Sequence, residues 1–289
     1  GSHKELMALK GEYYNMYKLI AMDLDGTLLD DDKKVPKENL EVLEQLISKG
    51  YEVVIATGRR YWSAKQLLKD VRKPLVILAN NGNIVRSTAD DGIIIKKYLD
   101  IKDFKTLIKE GKKRGLQPVV HVDGFEEGID LIIELDKGNN NYISKGEKRY
   151  REVESYLEMD EDRILAVVYA GNREELVNFH LDISKRYPNR YSSHVMENIV
   201  IAEALLEVMN PLGNKWLSLS EYAKEKGVAE KEIIAIGDDN NDIQMIKNAG
   251  CGIAMKNAIK EAKKVADIIT EKDNNQAGVA FELRKILKL

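Results

Sequence analysis

Short, mainly apolar runs, each followed by a polar turn, recur along the first part of the chain. The runs are Leu19–Met22, Tyr51–Ala56 and Leu75–Ala79, and Asp, Thr, Asn and Gly residues follow them. Apolar runs of this length between turn residues are typical of strands that are buried on both faces of a parallel sheet. The pattern therefore predicts three buried strands with polar carboxyl ends.

Helical spacing of apolar residues fills the intervals between these runs. Pro36 precedes a helical pattern that Gly50 closes, and a second helix is predicted from about Trp62 to Val71. Strands that alternate with helices pair in parallel through right-handed crossovers. The polar ends of the strands should therefore lie along one edge of the sheet.

The pattern changes near residue 96, where strands and helices no longer alternate regularly. Helices are predicted at 104–114 and 173–186, and strands at 117–122, 164–170, 191–195 and 199–202. A turn-rich segment contains Asn139, Asn140 and Asn141, and the basic run Lys145, Lys148, Arg149 and Arg151 alternates with Glu residues, as on a solvated helix face. The middle of the chain therefore predicts a separate α+β unit.

The alternating pattern resumes after residue 207. A helix is predicted at 215–226, and a buried strand at 232–236 ends in the acidic turn Gly237–Asp242. Further helices and strands continue to the last residue. The fold class predicted is α/β: a Rossmann-like parallel sheet domain made of residues 17–95 and 207–289, with residues 96–206 inserted as an α+β domain.

Composition narrows the classes of protein. Of 289 residues, 44% are hydrophobic and 32% are charged, as in ordinary globular proteins. A net charge of −3 gives no reason to expect nucleic acid or an anionic membrane as a partner, and no apolar run is long enough to span a bilayer. Cys251 is the single cysteine, which fits a reducing compartment. We therefore expect a cytoplasmic protein, and its oligomeric state stays open.

The candidate chemistry lies at the predicted strand ends. Asp23 and Asp25 stand two positions apart after the first strand, and Gly26 lets the backbone bend sharply beneath them. Two carboxylates this close repel each other unless a cation or a proton lies nearby, and oxygen ligands favour Mg²⁺. A plain Asp/Gly turn is the alternative.

Each of the other candidates also has a purely structural interpretation. Asp238, Asp239 and Asp242 could cap the helix that follows them, Thr57 could belong to a plain turn, and Lys215 could be solvated. Their joint occurrence is more informative. Together they supply a nucleophile, an acid, a hydroxyl donor, a cation and metal ligands, which are the parts that phosphoryl transfer requires.

The same residues form an ordered set of motifs. DLDGT (Asp23–Thr27), ATGR (Ala56–Arg59), Lys215 and GDDNND (Gly237–Asp242) resemble the four motifs of the haloacid dehalogenase superfamily, specifically its Cof-type phosphatases. The long insertion between Thr57 and Lys215 is similar to the large α/β cap of that family. The resemblance implies that this cap determines substrate specificity, although no cap motif identifies the residues involved.

The resemblance also implies a role for each motif residue. Asp23 would be the nucleophile that forms an aspartyl-phosphate, and Asp25 would be the general acid and base, protonated when substrate arrives. Thr57, with Gly58 beside it, would bind a phosphoryl oxygen, and Lys215 would neutralise charge on phosphate and Asp23. Asn241 corresponds to a phosphate contact.

A Mg²⁺ site follows from the same resemblance. Asp23, the backbone carbonyl of Asp25, and Asp238 would hold the ion. Asp242 would orient either Lys215 or a water molecule on the metal.

The expected function is therefore a Mg²⁺-dependent phosphatase that acts on small phosphorylated metabolites, such as sugar phosphates or phosphorylated cofactors. A phosphomutase of the same superfamily is the alternative enzyme. A phosphate-binding, receiver-like module is a third possibility, but receivers are much shorter and lack an aspartate two positions after the acceptor. A nicotinamide-binding protein is disfavoured because no GxGxxG motif follows the first strand.

Overall fold

The computed structural model describes residues 16–135, 143, 146–199 and 202–289. The chain divides into two compact units. The first unit is Gly1–Lys96 together with Asn214–Leu289, and the second is Lys97–Gly213. Within the described residues, no helix is both long enough and apolar enough to cross a bilayer.

The first unit is built on a mixed sheet with helices packed against it. Its strands are β1 (Leu19–Met22), β2 (Glu52–Ala56), β3 (Val76–Ala79), β4 (Ile84–Ser87), β5 (Ile93–Lys96), β12 (Ile233–Gly237), β13 (Cys251–Ala254) and β14 (Ile268–Ile269). Its helices are α1 (Lys37–Ser48), α2 (Tyr61–Leu67), α5 (Lys215–Glu225), α6 (Ile243–Asn248), α7 (Lys260–Val265) and α8 (Gly278–Leu287). The strand order is β14-β13-β12-β1-β2-β3-β4-β5.

Strand β1 occupies the centre of this sheet. It pairs in parallel with β12 on one side and with β2 on the other, and all four of its residues are fully buried. Burial on both faces explains why Leu19–Met22 contains no polar residue. The predicted α/β fold class is therefore confirmed.

The sequence pattern missed the antiparallel end of this sheet. Strands β4 and β5 run antiparallel to their neighbours and extend the sheet beyond β3. Helix α2 also ends at Leu67, before the predicted limit of Val71. The turn at Asn80-Asn81-Gly82 reverses the chain directly into β4, so no helix separates these strands.

In its described residues, the second unit contains a six-stranded sheet and two helices. Its strands are β6 (Pro118–Gly124), β7 (Ile129–Glu134), β8 (Tyr150–Val153), β9 (Ile164–Gly171), β10 (Ser192–Ile199) and β11 (Ala202–Met209), in the order β10-β11-β9-β6-β7-β8. Helices α3 (Ile101–Lys113) and α4 (Arg173–Arg186) contribute Phe104 and Phe179 to a core that also contains Tyr156 and Tyr169.

Two details of the second unit differ from the sequence pattern. Of the basic run, Arg151 lies in strand β8 and not in a helix, and Arg149 forms a two-bond ion pair with Asp130. Side chains that alternate in charge suit a strand as well as a helix, which explains the error. Strand β11 lies wholly within this unit, whereas the predicted boundary divided it at residue 207. Lys145 and Asn139–Asn141 lie outside the described residues.

Candidate active site

Three strand ends meet at one edge of the first unit's sheet. Asp23 directly follows β1, Thr57 follows β2 and Asp238 follows β12. Because β1 pairs in parallel with both neighbours, the carboxyl ends of these strands lie side by side. The backbone N–H of Asp23 donates to the carbonyl of Ile236, which extends the β1–β12 pairing to the first acidic residue.

Lys215 joins two of the predicted carboxylates. Its Nζ lies 2.7 Å from Oδ1 of Asp23 and 2.7 Å from Oδ1 of Asp242. The lysine is only 1% exposed and Asp242 is fully buried. Lys215 is the first residue of α5, and the side chain of Asn214 caps that helix by accepting the backbone N–H of Leu217. The cap fixes the start of α5 and so the position of Lys215 at this edge of the sheet.

Three aspartates at this edge form a cluster of oxygen ligands. One carboxylate oxygen from each of Asp23, Asp238 and Asp242 lies within 4.8 Å of the others. The hydroxyl of Thr27 donates to Oδ1 of Asp238 at 2.9 Å. Oδ2 of Asp242 accepts the backbone N–H of Asp238 at 2.9 Å and that of Asp239 at 3.1 Å. Asp242 thus holds both Lys215 and the loop that carries Asp238.

The cluster brings together more acidic than basic groups. Burial and the charge of Asp242 raise the pKa of Asp23 well above its ordinary range, against the opposing effect of Lys215. The same two causes raise the pKa of Asp238 to about 6. Burial lowers the pKa of Lys215, but the charges of Asp23 and Asp242 outweigh it and raise that pKa. Three carboxylates face one ammonium group, and this set of hard oxygen donors fits a divalent cation such as Mg²⁺.

The side chain of Asp25 lies outside this cluster. Its carboxylate accepts Nε of Arg59 at 2.6 Å, Nη2 of Arg59 at 2.8 Å and Nζ of Lys33 at 2.8 Å. Burial raises the pKa of Asp25, but the hydrogen bonds and charges of Arg59 and Lys33 outweigh it and bring the pKa down to about 2. The carboxylate is therefore ionised in this arrangement, which differs from the protonated acid that the sequence predicts.

The remaining predicted residues lie on neighbouring loops. Thr57 is 1% exposed, and its Oγ1 accepts the backbone N–H of Arg59 at 3.0 Å. Gly58 is exposed beside it. Nδ2 of Asn241 donates to Oδ1 of Asn81 at 3.0 Å, so the loops after β3 and β12 are linked.

Sequence reasoning gave no role to Thr27, Lys33 or Asn257, which help to organise this edge, and it did not predict that Arg59 contacts Asp25. Thr27 orients Asp238, and Lys33 and Arg59 hold Asp25. The Asn257 side chain donates to the carbonyl of Gly26 at 2.8 Å. Thr27 and Arg59 stand inside the quoted motifs and could have been found there. Lys33 and Asn257 carry no local pattern that marks them.

Comparison with known proteins identifies one family and relatives that are similar over nearly the whole chain. The family model of haloacid dehalogenase-like hydrolases matches residues 20–283. The 5-amino-6-(5-phospho-D-ribitylamino)uracil phosphatase YitU of Bacillus subtilis is 28% identical over 283 residues, which cover 94% of this chain and 98% of that protein. The phosphatase YwpJ of the same organism is 26% identical over 292 residues, covering 93% of this chain and 100% of that protein.

Solved structures show the same relationship. A haloacid dehalogenase-like hydrolase from Bacteroides thetaiotaomicron superposes with a TM-score of 0.76 at 27% identity, covering 93% of this chain and 99% of that one. TM0651 from Thermotoga maritima superposes with a TM-score of 0.77 at 26% identity, covering 93% and 97% of the two chains. Both similarities extend over nearly the whole chain, including both units.

Proposed function

The chain belongs to the family of haloacid dehalogenase-like hydrolases, and from this we propose that it is a Mg²⁺-dependent phosphatase of small phosphorylated metabolites. The observation that carries the proposal is the position of Lys215. Its buried ammonium group binds Asp23 and Asp242, which come from opposite ends of the chain, and Asp238 lies in the same cluster. A buried cation among carboxylates prepares a site for a phosphoryl group.

Asp23 is the proposed nucleophile. Lys215 holds Oδ1 of Asp23, and we assign Oδ2 as the oxygen that would attack phosphorus in line with the leaving oxygen. The new bond joins Oδ2 to phosphorus, and the bond between phosphorus and the substrate oxygen breaks. The aspartyl-phosphate then reacts with water, which releases inorganic phosphate and restores the carboxylate.

The carboxylates of Asp23 and Asp238, with the backbone carbonyl of Asp25, would hold Mg²⁺. When bound, the cation supplies positive charge that offsets the negative charge of the phosphoryl group. Asp242 acts through Lys215, because Oδ1 binds that lysine and Oδ2 binds the backbone of the Asp238 loop. This assignment makes Asp242 a positioning residue for both the cation site and the lysine.

Asp25 would move protons in both half-reactions. It gives a proton to the leaving oxygen and later takes one from the attacking water. Because Arg59 and Lys33 hold its carboxylate ionised, the proposed acid role requires Asp25 to exchange these partners when substrate binds. Thr57, the backbone of Gly58 and Asn241 would donate hydrogen bonds to the phosphoryl oxygens.

The proposed substrate class is a small phosphomonoester. The names of the two relatives support the class, since both are phosphatases and one acts on a phosphorylated ribitylaminouracil. Sugar phosphates and phosphorylated cofactors fit the same description.

A screen of phosphorylated metabolites with Mg²⁺, measured as release of inorganic phosphate, tests the proposal. We expect turnover of one or more phosphomonoesters and loss of that turnover in Asp23→Asn. Asp32→Asn makes the same chemical change at an exposed position of the same segment and should keep the wild-type rate. A phosphomutase would convert a sugar phosphate without releasing phosphate, and a phosphate-binding module would turn over none of the compounds.

A further inference from the structure

The turn Asn80-Asn81-Gly82, which follows β3, has an unusual backbone. All three residues have positive φ angles, of 46°, 54° and 92°. For residues other than glycine this conformation costs about 1–2 kcal/mol, and asparagine is among the few that adopt it. The turn is nevertheless buried, with Asn80 2% and Asn81 3% exposed. Strain of this kind persists where the surrounding contacts over-determine it.

The backbone of this turn is bound to the loop after β2. The N–H of Asn81 donates to the carbonyl of Thr57 at 3.0 Å, and the N–H of Asn80 donates to the carbonyl of Arg59 at 2.9 Å. The loop that carries Thr57 and Gly58 is therefore held on both sides of Gly58. A shift of the turn would displace the proposed hydroxyl donor with it.

The turn also supports the start of helix α5. Oγ of Ser218 donates to the carbonyl of Gly82 at 2.6 Å. A side chain at Gly82 would place its Cβ 2.7 Å from the carbonyl oxygen of Asn214, which caps the helix. Only glycine allows this approach, and the approach sets the position of Lys215, the first residue of the helix.

The side chain of Asn81 makes the third connection. Its Oδ1 accepts a hydrogen bond from Nδ2 of Asn241. This bond orients the Asn241 amide, whose second N–H remains as a donor. A Cβ built on Gly58 would lie 3.4 Å from Oδ1 of Asn81 and 3.8 Å from Nδ2 of Asn241. The two amide groups therefore border the exposed space beside Gly58.

We propose that Asn81 is a positioning residue for phosphate binding. Its carboxamide orients Asn241 toward a phosphoryl oxygen, and its backbone fixes the Thr57 loop in the same turn that supports Lys215. The inference rests on the proposed function, and no motif assigned a role to Asn81. This one turn thus contacts three segments that are far apart in the sequence: the Thr57 loop, the start of α5 and the loop that carries Asn241.

The test separates the side chain from the backbone. Asn81→Gly keeps the positive φ and removes the carboxamide. Because small displacements in such sites cost up to about 100-fold in rate, we expect kcat/KM for the best phosphomonoester to fall about 10- to 100-fold. Asn189→Gly replaces another asparagine of positive φ, at an exposed site in the second unit, and should leave kcat/KM unchanged. Circular dichroism confirms that each variant is folded.

A double-mutant comparison shows whether the loss of activity in Asn81→Gly is transmitted through Asn241. If Asn81 acts through Asn241, the double variant Asn81→Gly/Asn241→Ala should be no slower than Asn241→Ala alone. Multiplied losses in the double variant, or wild-type kinetics in Asn81→Gly, would overturn the proposal.

Calorimetric titration with inorganic phosphate, in the presence of Mg²⁺, provides a readout that does not depend on turnover. Phosphate should bind Asn81→Gly about 10-fold more weakly than wild type, in line with the kinetic loss. Phosphate binding that depends on Asn81 without turnover of any phosphomonoester would reject the phosphatase and keep the inference. A wild-type protein that neither binds phosphate nor hydrolyses a phosphomonoester would reject both.

Discussion

The side chain of Lys215 is fully buried, and its positive charge is tolerated there because of its two carboxylate partners. Buried ammonium groups are tolerated when carboxylates compensate them, and here Asp23 and Asp242 do so at 2.7 Å each. The same pairing makes substitution of Lys215 costly. Removing it would leave the buried carboxylates of Asp23 and Asp242 without this ion-pair partner.

We therefore expect Lys215→Met to reduce kcat by about 100-fold or more, because a preorganised charge at the phosphoryl group is lost. The variant should also unfold at lower denaturant concentration than wild type when no divalent cation is added. Adding Mg²⁺ should restore part of that stability, since the ion supplies positive charge to the same carboxylates. Urea titrations with and without Mg²⁺ measure this, and equal stability of the two proteins without the ion would contradict it.

Gly26 leaves the space that the carboxylate of Asp238 occupies. It has a φ of +73°, and a Cβ there would lie 2.3 Å from Oδ2 of Asp238. Gly50 offers a matched comparison, because its φ is +86° and no atom lies within 4 Å of a built Cβ. Both glycines thus have a positive φ, but a side chain would clash with a neighbouring residue only at Gly26.

Gly26→Ala should abolish most phosphatase activity and weaken Mg²⁺ binding, because Asp238 must move away from the cluster. Gly50→Ala should cost only about 1 kcal/mol in the free energy of unfolding, from the strained backbone. Titration calorimetry with Mg²⁺ and thermal unfolding distinguish the two effects. Similar Mg²⁺ affinities in both variants would argue against the role given to Gly26.

At the scale of elements, the strands that bear motifs were the easiest to predict. Strands β1, β2 and β12 are mainly apolar runs followed by polar residues, so the sequence alone indicates that they are strands and that their polar ends share one edge of the sheet. The β3–β4–β5 antiparallel end was missed because its turn residues, Asn80 and Asn81, also suit a strand end that leads to a helix. Helix α5 was expected from its spacing.

The partners of the site residues were harder to predict than the strands. The ion pair of Asp25 with Arg59 joins two loops, and nothing local to either residue indicates that the side chains meet. The Asn81–Asn241 bond spans 160 positions of sequence. Such contacts depend on the three-dimensional course of loops, whereas periodicity reports only on regular elements.

Helices α3 and α4 of the second unit are joined by an ion-pair cluster around Glu110. Arg186 of α4 hydrogen-bonds this carboxylate, Lys113 binds it at 2.9 Å, and Arg114 binds it at 3.2 Å. These bonds, that of Arg186 above all, lower the pKa of Glu110 from 4.5 to about 2. The unfolded chain therefore binds a proton at this carboxyl more readily than the folded one does.

The contribution of Glu110 to the stability of the folded protein depends on pH. A pKa lowered on folding stabilises the native state above pH 4.5, and this contribution is lost as the pH falls from 4.5 towards 2. Glu110→Gln should be less stable than wild type at pH 6, with a difference that shrinks across that acidic window. Unfolding followed by circular dichroism at a series of pH values measures it, and a difference that is constant with pH would refute this assignment.

At the scale of the whole molecule, the proposed cation site would link distant parts of the first unit. Asp23 comes from the start of the chain, and Asp238 comes from its last quarter. A ligand that binds only the native arrangement stabilises it by mass action. Mg²⁺ should therefore act on global stability as well as on turnover.

With free Mg²⁺ at one hundred times its Kd, we expect the free energy of unfolding to rise by about 2.7 kcal/mol. A chelator should remove this gain and abolish phosphate release, and renewed Mg²⁺ should restore both. Sodium chloride at matched ionic strength is the control, because it screens charge without binding the carboxylates specifically. Undiminished hydrolysis in the chelator would contradict the metal assignment.

The central position of β1 has a consequence for how the protein is made. This strand lies between β2 and β12, yet β12 is translated more than two hundred residues later than β1. Until the ribosome has synthesised Ile233–Gly237, one hydrogen-bonding edge of Leu19–Met22 has no native neighbour. Unpaired apolar edges favour aggregation. We expect nascent chains of intermediate length to require chaperone protection, which ribosome profiling of chaperone-bound chains can measure.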